Sequence, residues 1–283
     1  MKITIKVAVI QMEIAMLDIK ANLNKAQKLL KDLFSKVKCD LVVFPEDFIT
    51  GPIPYNLELA QDESTSSIQL FRKLAIDYKT HIVCGSVIKK ANDNYFNTSF
   101  LINDKGRIIL EYQKINLWHP ERWYLTAGSR VRVVSTAIGT IGIVICWDLA
   151  FPEIFRELIK LGANIVCCPS YWTVDDGVSQ LKKYRQIEAE NNFVNALCPA
   201  RAIENEILFI YANAGGNAKV QLKKKVWQSS QIGQSQICVP IYGTVAKIDD
   251  NREGYITYEF DRNLLIDSER IYKIKKDLLI KQN

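Results

Sequence analysis

Residues 141–159 read IGIVICWDLAFPEIFRELI, a short β-branched run followed at once by apolar residues at helical spacing. The run at 141–146 predicts a buried strand, because it is short and rich in isoleucine and valine. The residues after it place four apolar side chains on one helical face, namely Ile154, Phe155, Leu158 and Ile159. Such a passage from strand to helix is typical of a layered α/β protein.

The same alternation extends over much of the chain. Helical spacing follows the first predicted strand, at residues 23–34, and precedes the third, at residues 68–75. Residues 95–112 interrupt the alternation, since FNTSFLIND, the turn Lys105-Gly106 and RIILEYQ predict a β-hairpin and hence a mixed sheet. Because no linker-like stretch divides the chain, a single domain over residues 1–283 is predicted. The further strands are predicted at residues 3–10, 41–44, 82–88, 98–102, 131–134, 164–168 and 207–212.

The composition is that of an ordinary globular protein with a sizeable core. Of 283 residues, 48% are hydrophobic and 24% are charged, which excludes disordered, collagen-like and coiled-coil chains. Subtracting 31 acidic from 37 basic residues gives a net charge of +6, spread along the chain. Neither a nucleic acid nor a membrane partner is expected, because a binding face for either needs clustered charge. The short basic clusters at 223–225 and 270–276 are interpreted as solvated faces or a subunit contact.

Cysteine usage and the N-terminal segment indicate a reducing compartment. The seven cysteines are an odd number without Cys-x-x-Cys spacing, so neither a disulfide framework nor a zinc site is predicted. The opening MKITIKVAVIQM is interrupted by Lys2 and Lys6 and has the pattern of a strand, not of a signal peptide. The longest uncharged stretch, about 133–147, is too short and polar to span a bilayer. We therefore predict a cytoplasmic location.

Polar residues stand at the ends of three predicted strands. Glu46 follows LVVF, Lys114 follows the second hairpin strand, and Cys146 follows IGIVI. Loops beyond strand ends are where ligands meet open α/β sheets. Taken singly, each residue is more often an exposed charge or an inert core thiol. Together, a thiol, a carboxylate and an ammonium are the groups needed for nucleophilic attack on a carbonyl or nitrile carbon.

The order and coverage of several motifs resemble the nitrilase superfamily, the carbon-nitrogen hydrolases. The three central motifs are FPE at 44–46, YQK at 112–114 and CWDLAFPEIFR at 146–156. Their spacings, 114 − 46 = 68 and 146 − 114 = 32, are similar to those of that family. Further matches cover nearly the whole chain: VAVIQM, PSYW at 169–172, RAIEN at 201–205, YAN at 211–213 and GQSQICVP at 233–240.

The resemblance implies a fold and an assembly. The fold is α/β, a four-layer αββα sandwich of two sheets packed face to face with helices outside. Protomers of this family commonly pair, so a homodimer or higher homo-oligomer is expected, with a C-terminal tail at about 262–283 at the subunit contact.

The resemblance also implies roles for individual residues. Glu46 corresponds to the general base, Lys114 to the stabiliser of the tetrahedral intermediate and Cys146 to the nucleophile. Neither a metal nor an organic cofactor is needed. The residues that resemble substrate-positioning groups are Glu121, Trp147 with its backbone N–H, Tyr171 and Trp172.

Two departures and one match bear on the substrate. Many members have His-Leu where Asn116-Leu117 stand, which changes the pocket wall without touching the three catalytic candidates. Many also have arginine where this chain has Ala150, so a strongly anionic substrate is not expected. The pair Trp147-Asp148 favours an amidase or N-carbamoyl hydrolase over a nitrilase. We therefore predict hydrolysis of a linear amide or N-carbamoyl compound through a thioester on Cys146. A nitrilase and a non-catalytic binding protein remain the alternatives.

The segment at 173–192 is an additional feature between Cys146 and Arg201. Leu181, Tyr184 and Ile187 have helical spacing with charged residues between them. A surface helix and a lid or subunit contact explain this pattern equally well.

Overall fold

The computed structural model describes residues 2–174, 187–222 and 225–280. Most of the predicted helix at 173–192, namely 175–186, lies outside the described residues, as do 223 and 224 of the basic cluster at 223–225. The helices are α1 (Ile19–Lys36), α2 (Ser66–Tyr78), α3 (Pro152–Lys160), α4 (Ile187–Asn205), α5 (Asn263–Tyr272) and α6 (Ile274–Ile280). The strands are β1 (Thr4–Gln11), β2 (Leu41–Val43), β3 (His81–Val83), β4 (Val87–Ala91), β5 (Asn94–Ile102), β6 (Ile108–Gln113), β7 (Val133–Thr136), β8 (Gly139–Ile143), β9 (Ile165–Ser170), β10 (Leu208–Asn213), β11 (Asn217–Leu222), β12 (Lys225–Ser230), β13 (Gln236–Val239), β14 (Gly243–Lys247) and β15 (Gly254–Asp261).

Two mixed sheets form the centre of the fold. The first has the strand order β15-β1-β2-β3-β5-β4, with β6 paired to β5, and the second has the order β14-β13-β10-β9-β8-β7. Strands β1, β2 and β3 are parallel in the first sheet, and β8, β9 and β10 are parallel in the second. The hairpin predicted at 95–112 is confirmed as the antiparallel pair β5 and β6. Strands β11 and β12 form a separate ribbon.

The four-layer αββα sandwich is confirmed. Along β1, Ile5, Val7 and Val9 enter the core shared with the second sheet, while Ala8 and Ile10 pack with α1 and α2. This alternation follows from the two-residue period of a strand. Helices α3 and α4 cover the second sheet, where Leu158 of α3 lies against the face of Gly142.

One predicted strand is wrong in its extent. The run 82–88 forms two strands, β3 and β4, because residues 84–86 leave the sheet between them. Gly85 has φ +41°, and a Cβ there would lie 2.0 Å from the carbonyl oxygen of Pro45. Only glycine fits this close approach, so the interruption is set by the neighbouring turn that carries Glu46.

Candidate active site

The three predicted catalytic residues lie together at one end of the sandwich. Glu46 follows β2, Lys114 follows β6 and Cys146 follows β8, and all three side chains are buried. The backbone N–H of Glu46 donates to the carbonyl of Ser170 at 3.2 Å. This hydrogen bond joins the end of β2 in the first sheet to the end of β9 in the second. The site is therefore formed only where the two sheets meet.

Lys114 lies between two carboxylates. Its Nζ is 2.9 Å from Oε1 of Glu46 and 2.8 Å from Oε2 of Glu121. Asn97 of β5 holds the same two groups, since its Nδ2 donates to Glu46 at 2.7 Å and to Glu121 at 3.0 Å. Two backbone N–H groups complete the network, that of Tyr171 to Glu46 at 2.8 Å and that of Trp118 to Glu121 at 2.6 Å. Glu121 is thus brought to the site as predicted, and Asn97 was missed.

The ionisable groups of this network shift one another's pKa values. Burial raises the pKa of Glu46 above its usual range, and the Glu121 carboxylate adds to this, while Lys114 and a hydrogen bond with Cys146 oppose it. Burial alone would lower the pKa of Lys114, but the carboxylates of Glu121 and Glu46 raise it well above its usual range. The lysine is therefore a fixed cation, whereas Glu46 is poised to exchange a proton.

A further carboxyl group lies beside Glu46. Asp47 is buried, and burial raises its pKa well above the usual range, with the charges of Glu46 and Glu121 adding to the shift. Its backbone N–H donates to Oγ of Ser86 at 3.2 Å. Burial and the neighbouring carboxylates therefore both disfavour the charged form of Asp47.

The nucleophile candidate stands on a sharp turn. Cys146 has φ +45°, a left-handed conformation that is unfavourable for a residue with a Cβ, and it begins the short 3₁₀ helix Cys146–Ala150. The buried carboxylate of Asp148 holds this turn. It accepts hydrogen bonds from the N–H of Ile145 at 2.9 Å, the hydroxyl of Tyr112 at 2.7 Å, and both the N–H and the side chain of Asn116 at 2.8 and 2.9 Å.

Asp148 thereby connects the nucleophile turn to the strand end that carries Lys114. Asn116, which departs from the family pattern, is part of this connection. In the sequence, Asp148 indicated only the substrate class, and no periodicity could have revealed its hydrogen-bond partners. The one available signal was its position two residues after Cys146.

The predicted substrate-positioning aromatic residues flank the same groups. The Trp147 ring lies 5.7 Å from that of Trp172 and 4.5 Å from that of Trp118. Tyr171 is buried, and its hydroxyl lies 3.6 Å from the sulfur of Met16. Its backbone is the part that reaches the site, through the N–H bonded to Glu46.

The arrangement contains the groups that acyl transfer requires. A thiol, a carboxyl base and a fixed ammonium meet in a largely buried volume, and the N–H of Trp147 follows the nucleophile on its turn. Over the described ranges, no group of three or more His, Cys, Asp or Glu side chains is arranged to hold a metal ion. No helix among these residues is both long and apolar enough to cross a membrane.

The comparisons with known proteins show the family of the chain. The carbon-nitrogen hydrolase family model matches residues 6–270, and the chain belongs to that family. It is 27% identical over 264 residues to a probable nitrilase from Schizosaccharomyces pombe, covering 90% of this chain and 88% of that protein. It is 30% identical over 225 residues to the 2-oxoglutaramate amidase of Bacillus subtilis, covering 78% of each.

The fold has a solved counterpart. The crystal structure of XC1258 from Xanthomonas campestris, a CN-hydrolase superfamily protein, matches with a TM-score of 0.82 at 20% identity and 97% coverage of both chains.

Proposed function

We propose that this chain hydrolyses the carbon-nitrogen bond of a linear amide or N-carbamoyl compound through a thioester on Cys146. The observation that carries the proposal is the convergence of Cys146 with Glu46, Lys114 and Glu121 in one buried site. Membership of the carbon-nitrogen hydrolase family supports the reaction class.

In the acylation half, Glu46 takes the proton of the Cys146 thiol, and the sulfur forms a bond to the amide carbon. The electron pair of the carbonyl moves to its oxygen, where the Lys114 ammonium and the Trp147 N–H stabilise the negative charge. The intermediate then collapses and its carbon-nitrogen bond breaks. The leaving nitrogen receives the proton from Glu46, so ammonia or an amine departs and a thioester remains.

In the deacylation half, Glu46 takes a proton from a water molecule whose oxygen attacks the thioester carbon. The second intermediate collapses with cleavage of the carbon-sulfur bond, and the proton returns to the sulfur. The acid product leaves. Lys114 serves both halves because its two carboxylate partners hold it in place throughout.

The amide reaction is favoured over the nitrile reaction by two observations. The 2-oxoglutaramate amidase relative is 30% identical, and Asp148 stands after Trp147 as in the amide branch. Assays on a panel of substrates would distinguish amide hydrolysis from nitrile hydrolysis. Measuring the reactivity of Cys146 would distinguish an enzyme from a non-catalytic protein.

The test needs no knowledge of the substrate. We would measure the rate at which iodoacetamide alkylates each of the seven cysteines, by peptide mass spectrometry, in the wild type and in Glu46→Gln. Burial raises the pKa of Cys39 to about 11 and that of Cys168 and Cys238 to about 12, so these thiols serve as slow internal references. We expect Cys146 to react fastest, and to lose that advantage in Glu46→Gln.

The matched control is Glu157→Gln, which removes an exposed carboxylate on α3 and should leave the Cys146 rate unchanged. Ammonia release from amides, carbamoyl compounds and nitriles should then fall about 100-fold or more in Glu46→Gln, Lys114→Ala and Cys146→Ala. A Cys146 that reacts no faster than the reference thiols would favour the non-catalytic alternative. Loss of activity in only one of the three variants would contradict the mechanism.

We further propose that residues 1–283 act as one cytoplasmic domain that forms a homodimer or higher homo-oligomer through the tail at 262–283. Three apolar side chains exposed on α5 support the contact: Ile266, Ile271 and Tyr272.

A further inference from the structure

Four aromatic side chains form a continuous cluster beside the candidate nucleophile. Trp147 lies 4.5 Å from Trp118, 5.7 Å from Trp172 and 6.1 Å from Phe193, ring centre to ring centre. The Trp147 and Phe193 rings are nearly parallel, at 12°. Trp172 and Phe193 are themselves 5.3 Å apart. We call this set, Trp118, Trp147, Trp172 and Phe193, the aromatic wall.

The aromatic wall connects the reacting groups with the protein surface. Trp147 directly follows Cys146, Trp118 donates its backbone N–H to Glu121, and Trp172 follows Tyr171, whose N–H is bonded to Glu46. At the other end, Phe193 is 38% exposed. A substrate that approaches Cys146 along this wall would therefore place its remote part near Phe193.

A carboxylate stands at the outer part of the wall. The indole N–H of Trp172 donates to Oε2 of Glu190 at 2.8 Å. Glu190 is half-buried on α4, three residues before Phe193, so both side chains share one face of the helix. Within the described parts of the chain, no lysine, arginine or histidine pairs with Glu190. Burial raises its pKa, which reflects the cost of a carboxylate kept partly out of water.

The net charge of the inner site is negative, as is the charge of Glu190. Glu46 and Glu121 carry two negative charges around the single positive charge of Lys114. Position 150, which lies on the nucleophile turn, is alanine and supplies no cation. An anionic substrate group would meet net repulsion here, whereas a cation would gain both Coulomb attraction and favourable contact with aromatic faces.

We propose that Glu190 and the aromatic wall bind a positively charged group on the substrate, which is therefore an amide or N-carbamoyl compound that carries an ammonium or similar cation. The inference rests on the proposed function, because it names the substrate class of that site. Glu190 acts here as a specificity-determining residue. A purely structural role in holding the Trp172 indole would need only a neutral acceptor, which glutamine also provides.

The test compares reagents of different charge on Cys146. We would measure alkylation rates with the cation 2-bromoethylamine, the neutral iodoacetamide and the anion iodoacetate, and take each ratio to the neutral reagent. Because intrinsic reactivities cancel when ratios are compared between variants, the change on mutation reports the local charge. We expect the cation-to-neutral ratio to fall about fivefold in Glu190→Gln, as for one nearby charge. The anion-to-neutral ratio should rise.

Two further variants separate charge from structure. Glu190→Asp retains the charge and should keep most of the preference for the cation. Glu157→Gln makes the same change in net charge on α3 and should leave both ratios as in the wild type. A matching substrate test would compare kcat/KM for 3-aminopropanamide and butanamide, whose chains are of equal length.

The outcomes distinguish the two proposals. If Cys146 reacts rapidly but the charge ratios are the same in Glu190→Gln and the wild type, the inference is overturned while the proposed function stands. The same holds if the cation-to-neutral ratio rises in Glu190→Gln. If Cys146 is no faster than the reference thiols with any reagent, the proposed function itself fails.

Discussion

Glu121 influences catalysis in the proposed mechanism through its contact with Lys114. Its carboxylate is 2.8 Å from Lys114 and shares the Asn97 amide with Glu46. The two carboxylates therefore compete for the same donors, and the negative charge of Glu121 raises the pKa of Glu46. Raising the pKa of a buried general base in this way brings it closer to the pH at which the base must accept a proton.

We expect Glu121→Gln to move the acid limb of the pH profile to lower pH. Glu46 must be deprotonated to act as base, so activity falls as the pH drops through its pKa. Because Glu121 raises that pKa, removing its charge lowers it. The maximal rate should also fall about tenfold or more, since Lys114 loses a positioning partner.

The measurement is the Cys146 alkylation rate, or kcat/KM once a substrate is known, as a function of pH. Glu157→Gln again supplies the control for net charge. An acid limb that stays in place or moves to higher pH would contradict the proposed role of Glu121.

At the scale of elements, the turn after β8 is the most constrained part of the site. Cys146 is held at positive φ by the hydrogen bonds that converge on Asp148, and one of these comes from the Tyr112 hydroxyl on β6. Burial raises the pKa of Asp148, which its hydrogen-bond donors oppose. Removing a donor therefore leaves a buried carboxylate less well satisfied.

We expect Tyr112→Phe to lower the free energy of unfolding by about 1.5–3 kcal/mol, the usual contribution of a hydrogen bond to a charged group. The Cys146 alkylation rate should fall as well, because the turn is less firmly held. Urea denaturation and peptide mass spectrometry measure the two effects. Tyr78→Phe on α2, which keeps its ring stacked on Phe34, is the control. An equal loss of stability in both variants would show that the Asp148 contact adds nothing.

At the scale of the whole molecule, the sandwich leaves three large apolar side chains exposed on α5. Ile266, Ile271 and Tyr272 on α5 are 52%, 62% and 52% exposed. Exposed apolar side chains on a surface helix are available for contact with a partner. In the proposed homo-oligomer, these side chains contact a second copy of the chain.

We expect a particle of about 2 × 32.3 = 64.6 kDa, or a multiple of it, in light scattering coupled to size exclusion. Ile271→Glu should shift the mass towards that of one chain, because burying an unpaired carboxylate is costly. Ile76→Glu, at a similarly exposed position on α2, should leave the mass unchanged. A wild-type mass of one chain would contradict the proposed contact.

The sequence by itself determined the layered class, the hairpin and the positions of Glu46, Lys114, Cys146 and Glu121. It could do so because strand and helix periodicity are local, and because Glu46, Lys114 and Cys146 stand in short motifs at strand ends, while the resemblance to the family indicated Glu121.

Only the tertiary structure decided which groups serve these residues. Asn97 lies 51 residues from Glu46 along the chain, and Asp148 lies 2 residues from Cys146, by difference of position. Asn97 reaches Glu46 only through chain folding. The side chains that bind Asp148, those of Tyr112 and Asn116, also come from a distant part of the chain. The break at Gly85 has the same origin, since the Pro45 carbonyl that requires it belongs to a different strand end. Local sequence patterns do not predict such contacts, because the packing of two sheets brings together residues that are distant along the chain.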